Sequence, residues 1–216
     1  MAQASTSMRT ESACQPWFSP SPDQLETPQV QSVIDKLKLL KHPEGGYFVE
    51  TDRDTLRVPN PFINNAGSSA STRSASTTIY YFLTPAAPQG MFHRNKARTM
   101  HTLHWGRGRY VIIHADEHRG SGGKARVETF VVGKDIEAGE RMQWMVDGGK
   151  FKASLLLPDA QDCNGKNISG GLLISEACTV VPGFEFEDHD FLTPEAIKDL
   201  VEPSEVEDLS WLVRSK

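Results

Sequence analysis

The sequence predicts an all-β domain, a barrel or sandwich with short flanking helices, and three features predict it. From Tyr47 onward, short runs of β-branched, aromatic and aliphatic residues recur, separated by Pro, Gly, Asn and Asp turns. Ahead of them the apolar spacing is helical, and it changes to strand spacing only after Gly45-Gly46. Thr27-Pro28 and Thr193-Pro194 place a capped helix start on each side of the strand-rich region.

Residues 1–26 are rich in Ser, Thr, Pro and Gln and read as a flexible arm, with Trp17 and Phe18 as anchors onto the domain or a partner subunit. Residues 27–193 are expected to form one domain with a leading helix. In that helix Val30, Val33, Ile34, Leu37 and Leu40 recur at helical spacing, and Pro43 and Gly45-Gly46 end it near Lys41. The strand candidates follow in order: 47–50, 77–83, 90–94, 99–105, 109–115, 125–132, 141–145, 151–156, 172–175 and 178–181. Two long insertions, 59–76 and 158–171, interrupt them. Residues 194–216 are a C-terminal helical segment, with Ile197, Leu200 and Val201 on one face and Pro203 dividing it from a second turn anchored by Leu209, Trp211 and Leu212.

Size and charge narrow the function classes. The chain has 216 residues, 38% of them hydrophobic, and a net charge of −5, which gives no reason to expect nucleic-acid or anionic-membrane binding. No apolar run approaches the roughly 18 residues that span a bilayer, and the N-terminus shows no signal-peptide pattern. Three cysteines without metal-site spacing read as reduced thiols, so the expected location is cytoplasmic. Arg94, Arg98, Arg107 and Arg109 cluster in sequence, either as a surface patch or around an anionic ligand.

Four ordered blocks resemble a known family. They are His42-Pro43-Glu44-Gly45-Gly46-Tyr47-Phe48, Ser76 to Leu83, Phe92-His93-Arg94-Asn95-Lys96 with Gly106 beyond, and Cys178 to Asp188. Together they resemble the DUF985 (cupin-5) family of the RmlC-like cupin superfamily, over about residues 30–193. The resemblance implies a cupin (jelly-roll) β-barrel with short flanking helices. It also implies a homodimer, paired by strand exchange or sheet extension, with residues 27–50 contributing.

The usual cupin metal pattern has two histidines one residue apart, then a glutamate, then a glycine, with a further histidine from a second motif. Here Met91 stands at the first histidine position, His93 at the second, Thr99 at the glutamate and Lys152 near the last histidine. One imidazole, a thioether, a hydroxyl and an ammonium hold a divalent ion poorly. The expectation is therefore no metal and no cofactor, with His101 and His104 as the route to a non-standard site.

His93 is the first catalytic candidate, because imidazole titrates near neutrality. Lys152 would clamp a carboxylate or enolate, and Tyr47 and Glu50 would flank a planar substrate. Met91 is expected to share the face of His93; with Thr99, His101, Tyr80 and Phe82 it makes up the substrate-binding wall. Glu187-Asp188-His189 resembles a catalytic cluster, but adjacent residues point in different directions. The leading expectation is a metal-independent isomerase, epimerase or cyclase acting on a small carbonyl-containing metabolite, with a place in secondary metabolism. The alternatives are a non-catalytic small-molecule-binding cupin and a metal-dependent oxygenase with a non-standard site.

Overall fold

The computed structural model describes residues 14–21, 24–62, 71–117, 123–178 and 182–214. The elements are α1 (Pro28–Leu37), β1 (Leu40–Lys41), β2 (Tyr47–Arg53), β3 (Arg57–Pro59), β4 (Thr72–Ser74), β5 (Thr77–Leu83), β6 (Gln89–Asn95), β7 (Thr99–Trp105), β8 (Gly108–Ile113), β9 (Val127–Val132), β10 (Gln143–Val146), β11 (Phe151–Leu156), β12 (Ala160–Gln161), β13 (Asn167–Ile168), β14 (Leu172–Cys178), β15 (His189–Phe191), α2 (Ala196–Leu200) and α3 (Pro203–Leu209).

The Thr27 hydroxyl accepts the Val30 N–H at 3.3 Å and Pro28 opens α1, as the capping pattern requires. The helix stops at Lys38, which takes a left-handed φ of 55°, short of the end near Lys41 that the apolar spacing suggests. Leu39 then turns into the core, its N–H on the Ile34 carbonyl, and Leu40 passes to the edge strand β1.

Two main sheets carry the fold. A six-stranded sheet runs β1-β2-β5-β14-β7-β10, and a five-stranded sheet runs β15-β6-β11-β8-β9. Their inner faces meet in one core, where Tyr81, Leu83, Leu103, Trp144, Leu172 and Ile174 of the first pack with Tyr110, Ile112, Phe130 and Leu156 of the second. The Tyr110 and Trp144 rings meet edge to face at 4.6 Å. Burying each such large side chain contributes about 1.5–3 kcal/mol. Helix α1 covers the outer face of the six-stranded sheet through Val30, Ile34, Phe82 and Leu173. The C-terminal segment covers the outer face of the other sheet through Ile197, Val201, Leu209 and Leu212, packed on Phe92, Val111 and Leu155. Cys14 and the N-terminal segment join that layer, with the Trp211 indole N–H on the Cys14 carbonyl.

The expected jelly-roll barrel is not formed: neither sheet closes on itself, and no ladder joins their edges among the described residues. Closure requires a continuous hydrogen-bonded stagger around the ring. Beside the edge strand β9 that continuity shrinks to one isolated bridge, Val132 with Arg141, before the chain crosses to β10. The result is two open sheets face to face, with helices outside both. The sequence runs 172–175 and 178–181 also differ from expectation. One strand, β14, spans 172–178, and residues 179–181 lie outside the described residues.

Candidate functional site

The site begins at the turn between β1 and β2. Gly45 has a φ of 104°, and a Cβ there would lie 2.2 Å from the Gln89 carbonyl oxygen, so only glycine lets this turn press against β6. The Met91 N–H donates to the Glu44 carbonyl at 2.7 Å, and the Tyr81 hydroxyl donates to the Gly45 carbonyl at 2.9 Å. So pinned, Glu44 is buried with its carboxylate among imidazoles. His189 Nε2 lies 2.6 Å from Oε1, while His93 Nδ1 and His42 Nδ1 lie 3.2 and 3.6 Å from Oε2. His189 arrives because β15 pairs with β6, His189 opposite Asn95, and its ring stacks on His93 at 5.2 Å. The Met91 carbonyl, 2.9 Å from His93 Nδ1, fixes the orientation of that ring.

A second ionic group bridges the sheets. Lys152, only 2% exposed, points inward from β11, with its Nζ 2.6 Å from Glu176 Oε2 and 3.0 Å from His101 Nε2. Tyr110 donates to Glu176 Oε1 at 3.4 Å, and His101 stacks on Trp144 at 5.1 Å. Between the groups is a cavity of about 240 Å³, walled by Glu44, His93, Glu176 and Thr99 and by Phe48, Ile79, Phe184 and Phe186. A larger hollow, about 400 Å³, lies behind the same turn against residues 86–89, and Lys41 and Arg214 reach it.

Burial sets the protonation states. It pushes the His93 imidazole down to about 4, with the Lys152 ammonium acting the same way, so His93 is neutral near pH 7. His101 and His42 are lowered chiefly by the same burial. Burial alone would raise the Glu44 carboxyl, but the surrounding imidazoles hold it below its usual range. Against the same burial penalty, Lys152 and then His101 hold Glu176 well below the usual carboxylate range. Burial and the nearby carboxylates raise Tyr81 and Tyr110 well above the phenol range.

The structure brings some of the sequence candidates together and disperses others. His93 and Thr99 line the cavity, and Lys152 and His101 sit behind Glu176. Glu50 reaches the cavity wall while paired to Arg53 at 2.8 Å. Tyr47, Tyr80 and Phe82 do share a face, but it is the outer one, packed under α1. Met91 does not share the face of His93. His93 pairs with Lys152 but Gly90 pairs with Ser154, so a bulge at residues 91–92 turns Met91 out toward the larger hollow. His104 stacks edge-on against Tyr80, away from the cavity. The arginine cluster is dispersed among acidic partners: Arg94 with Asp190, Arg98 with Asp147 and Arg107 with Glu140.

Glu44, Glu176, His42 and His189 were not among the residues expected to act. Glu44 and His42 sit in the first matched block, where the glycines that shape the turn were the visible signal. Adjacent residues of the 187–189 run do point apart: His189 goes to Glu44 and Asp188 to a buried pair with Arg73. Only pairing of β15 with β6, invisible in a single sequence, brings His189 in.

As potential metal ligands, Glu44, His93 and His189 each offer one atom, and these atoms lie within 4.8 Å of one another. Two open sheets around a buried histidine–carboxylate cavity define a β protein with a candidate ligand site between its layers. The chain belongs to the cupin superfamily family DUF985, whose model matches residues 31–192. It is 45% identical over 187 residues, 85% of each chain, to the uncharacterized protein YML079W of Saccharomyces cerevisiae. Among solved structures it is similar to a hypothetical protein from Leishmania major, with 28% identity, a TM-score of 0.66 and coverage of 86% of this chain and 98% of that one. It is also similar to protein SO0799 from Shewanella oneidensis, with 23% identity, a TM-score of 0.64 and coverage of 89% and 100%. Membership in this superfamily and the ligand cluster are consistent with an enzyme acting on small molecules.

Proposed function

We propose that the chain is a metal-dependent enzyme, of the oxygenase type, acting on a small metabolite in the cavity between the sheets. One observation carries the reading: the convergence of Glu44, His93 and His189. Two imidazoles and a carboxylate with open positions are the donor set of non-haem iron oxygenases. The donors fit a divalent ion. Burial keeps His93 neutral, so one of its ring nitrogens has a free lone pair, and one donor atom from each of the three residues lies within 4.8 Å of the others.

When bound, such an ion supplies Lewis acidity and open coordination positions. The chain supplies the rest. The Met91 carbonyl orients His93, as a hydrogen-bonded outer partner does for a metal-binding imidazole. Glu176, ionised and facing the cavity, would accept a hydrogen bond from a substrate hydroxyl, and Lys152 maintains its charge. Phe184 and Phe186 add apolar surface to the cavity wall around the centre.

A second reading keeps the same cavity without a metal, as an isomerase, epimerase or cyclase acting on a carbonyl compound. It is favoured by the direct 2.6 Å bond between His189 and Glu44, a ready proton-exchanging pair. Titration of chelator-stripped protein with Co(II), followed by visible absorption and calorimetry, separates the two. The metal reading expects one ion per chain, binding weakened at least tenfold, about 1.4 kcal/mol, by Glu44→Gln, His93→Ala or His189→Ala, and binding retained in Lys152→Met. Absence of saturable binding by the unsubstituted protein sinks it in favour of acid–base chemistry or passive binding.

A further inference from the structure

We infer that the cavity takes a neutral, largely apolar molecule, an aromatic or alicyclic ketone or alcohol, and excludes phosphorylated ligands. The inference rests on the proposed function for the site and names its substrate class. Its ground is the division of the cavity wall. The reacting groups Glu44, His93 and Glu176 are the interior part, whereas Phe48, Ile79, Phe184 and Phe186 supply apolar surface around them. Phe186 is 70% exposed yet lines the cavity, and its ring meets Phe184 edge to face at 5.3 Å. An exposed phenylalanine at a cavity mouth, backed by a half-buried one, leaves apolar surface in water until a flat or apolar body covers it.

Charge points the same way. The cavity wall carries three carboxylates, Glu44, Glu50 and Glu176, and no Lys or Arg. Arg53 is engaged with Glu50 and Lys152 with Glu176. Glu44, Glu176 and Lys152 leave the interior with one net negative charge, and with one positive charge if a divalent ion is seated. Neither state presents the bidentate arginines or several cations that hold a phosphate or diphosphate. The arginines grouped in the sequence could have supplied them, but Arg94, Arg98 and Arg107 are paired to acids outside the cavity wall. A polar head on the ligand would meet His93 and Glu176, and its body would lie against the phenylalanines.

The test is calorimetric titration with acetophenone and glucose 6-phosphate, run on EDTA-treated protein and again after Co(II) loading. The expected result is saturable acetophenone binding below millimolar Kd in both forms, weakened at least fivefold by Phe186→Ser, with no binding of glucose 6-phosphate in either form. Phe186 is exposed enough for that substitution to leave the fold intact, which circular dichroism checks. Glucose 6-phosphate binding as tightly as acetophenone overturns the inference, as does acetophenone affinity unchanged in Phe186→Ser. The EDTA-treated arm keeps this outcome separate from failure of the metal reading, because the apolar wall is present without an ion.

Discussion

Replacing Lys152 by Met tests whether the ion pair between the sheets is an internal necessity. Lys152 is 2% exposed and its ammonium lies 2.6 Å from a Glu176 carboxylate that is itself only 11% exposed. Methionine fills most of the volume but leaves that carboxylate without its cation. Breaking one side of a buried pair costs about 3–5 kcal/mol, against a total domain stability of about 5–15 kcal/mol. Lys152→Met combined with Glu176→Gln removes both charges and should recover most of the loss, to within about 1–2 kcal/mol of the unsubstituted protein. Urea unfolding at pH 7, followed by tryptophan fluorescence, reads both numbers through the midpoint at constant slope. The pH dependence adds an internal check. Because the Glu176 carboxyl is lowered in the folded protein, its contribution is fully present above the ordinary carboxylate value of 4.5 and fades as pH falls through the lower folded value. In the single variant the buried carboxyl is relieved by protonation instead, so its deficit should shrink toward acid pH. A loss below about 1 kcal/mol, or strict additivity in the double variant, would refute the reasoning.

Acid should also destabilise the protein through His93. Its drop from 6.5 to about 4, at about 1.36 kcal/mol per pH unit, amounts to about 3 kcal/mol. The unfolded chain takes up this proton at a pH where the folded chain does not, so stability should rise between pH 4 and 6.5 and then level off. His93→Phe should flatten that rise in a series of urea midpoints, and a slope unchanged by the substitution would count against buried neutral His93. Gly45→Ala should cost at least about 1–3 kcal/mol, because the new methyl would sit 2.2 Å from the Gln89 oxygen at a φ of 104°. The same variant should weaken Co(II) binding by displacing Glu44; normal stability and metal affinity together would show that the turn does not position it.

Most strand segments were legible in the sequence because alternation and turn residues are local properties. Thr77–Leu83, Thr99–Trp105 and Phe151–Leu156 coincide with β5, β7 and β11. Their association into open sheets was not legible, because closure depends on edge pairing between distant segments. The sequence left the orientation of Lys152 open, because only the pairing of β11 with β6, Lys152 opposite His93, turns it inward. Met91 defeated the strand-parity argument, since one extra residue in a bulge reverses every later side chain. Tyr80 and Phe82 show a related limit. Alternation says that they share a face, but only the position of α1 tells which face is covered by the helix and which by the opposite sheet.

The two carboxylates of the cavity are held by different kinds of partner, and this decides where an ion can go. Glu176 is bound to an ammonium, a fixed positive charge that repels a divalent ion and has no lone pair to offer while protonated. Glu44 is bound to imidazoles, which surrender a proton and present a nitrogen ligand. On the proposed reading, lysine near the second-motif histidine position closes the interior to a metal, while the His42–Gly46 turn and β15 bring Glu44 and His189 to His93 as a replacement donor set. On the proposed reading the absence of the usual ligands at Met91, Thr99 and Lys152 does not argue against metal chemistry, because the three proposed donors come from β6, a turn and a late edge strand. One substitution decides between the ammonium and the geometry. If Lys152→Met opens a second Co(II) site beside Glu176 and His101, the ammonium was what excluded it. If it does not, the geometry of the inner group excludes an ion by itself.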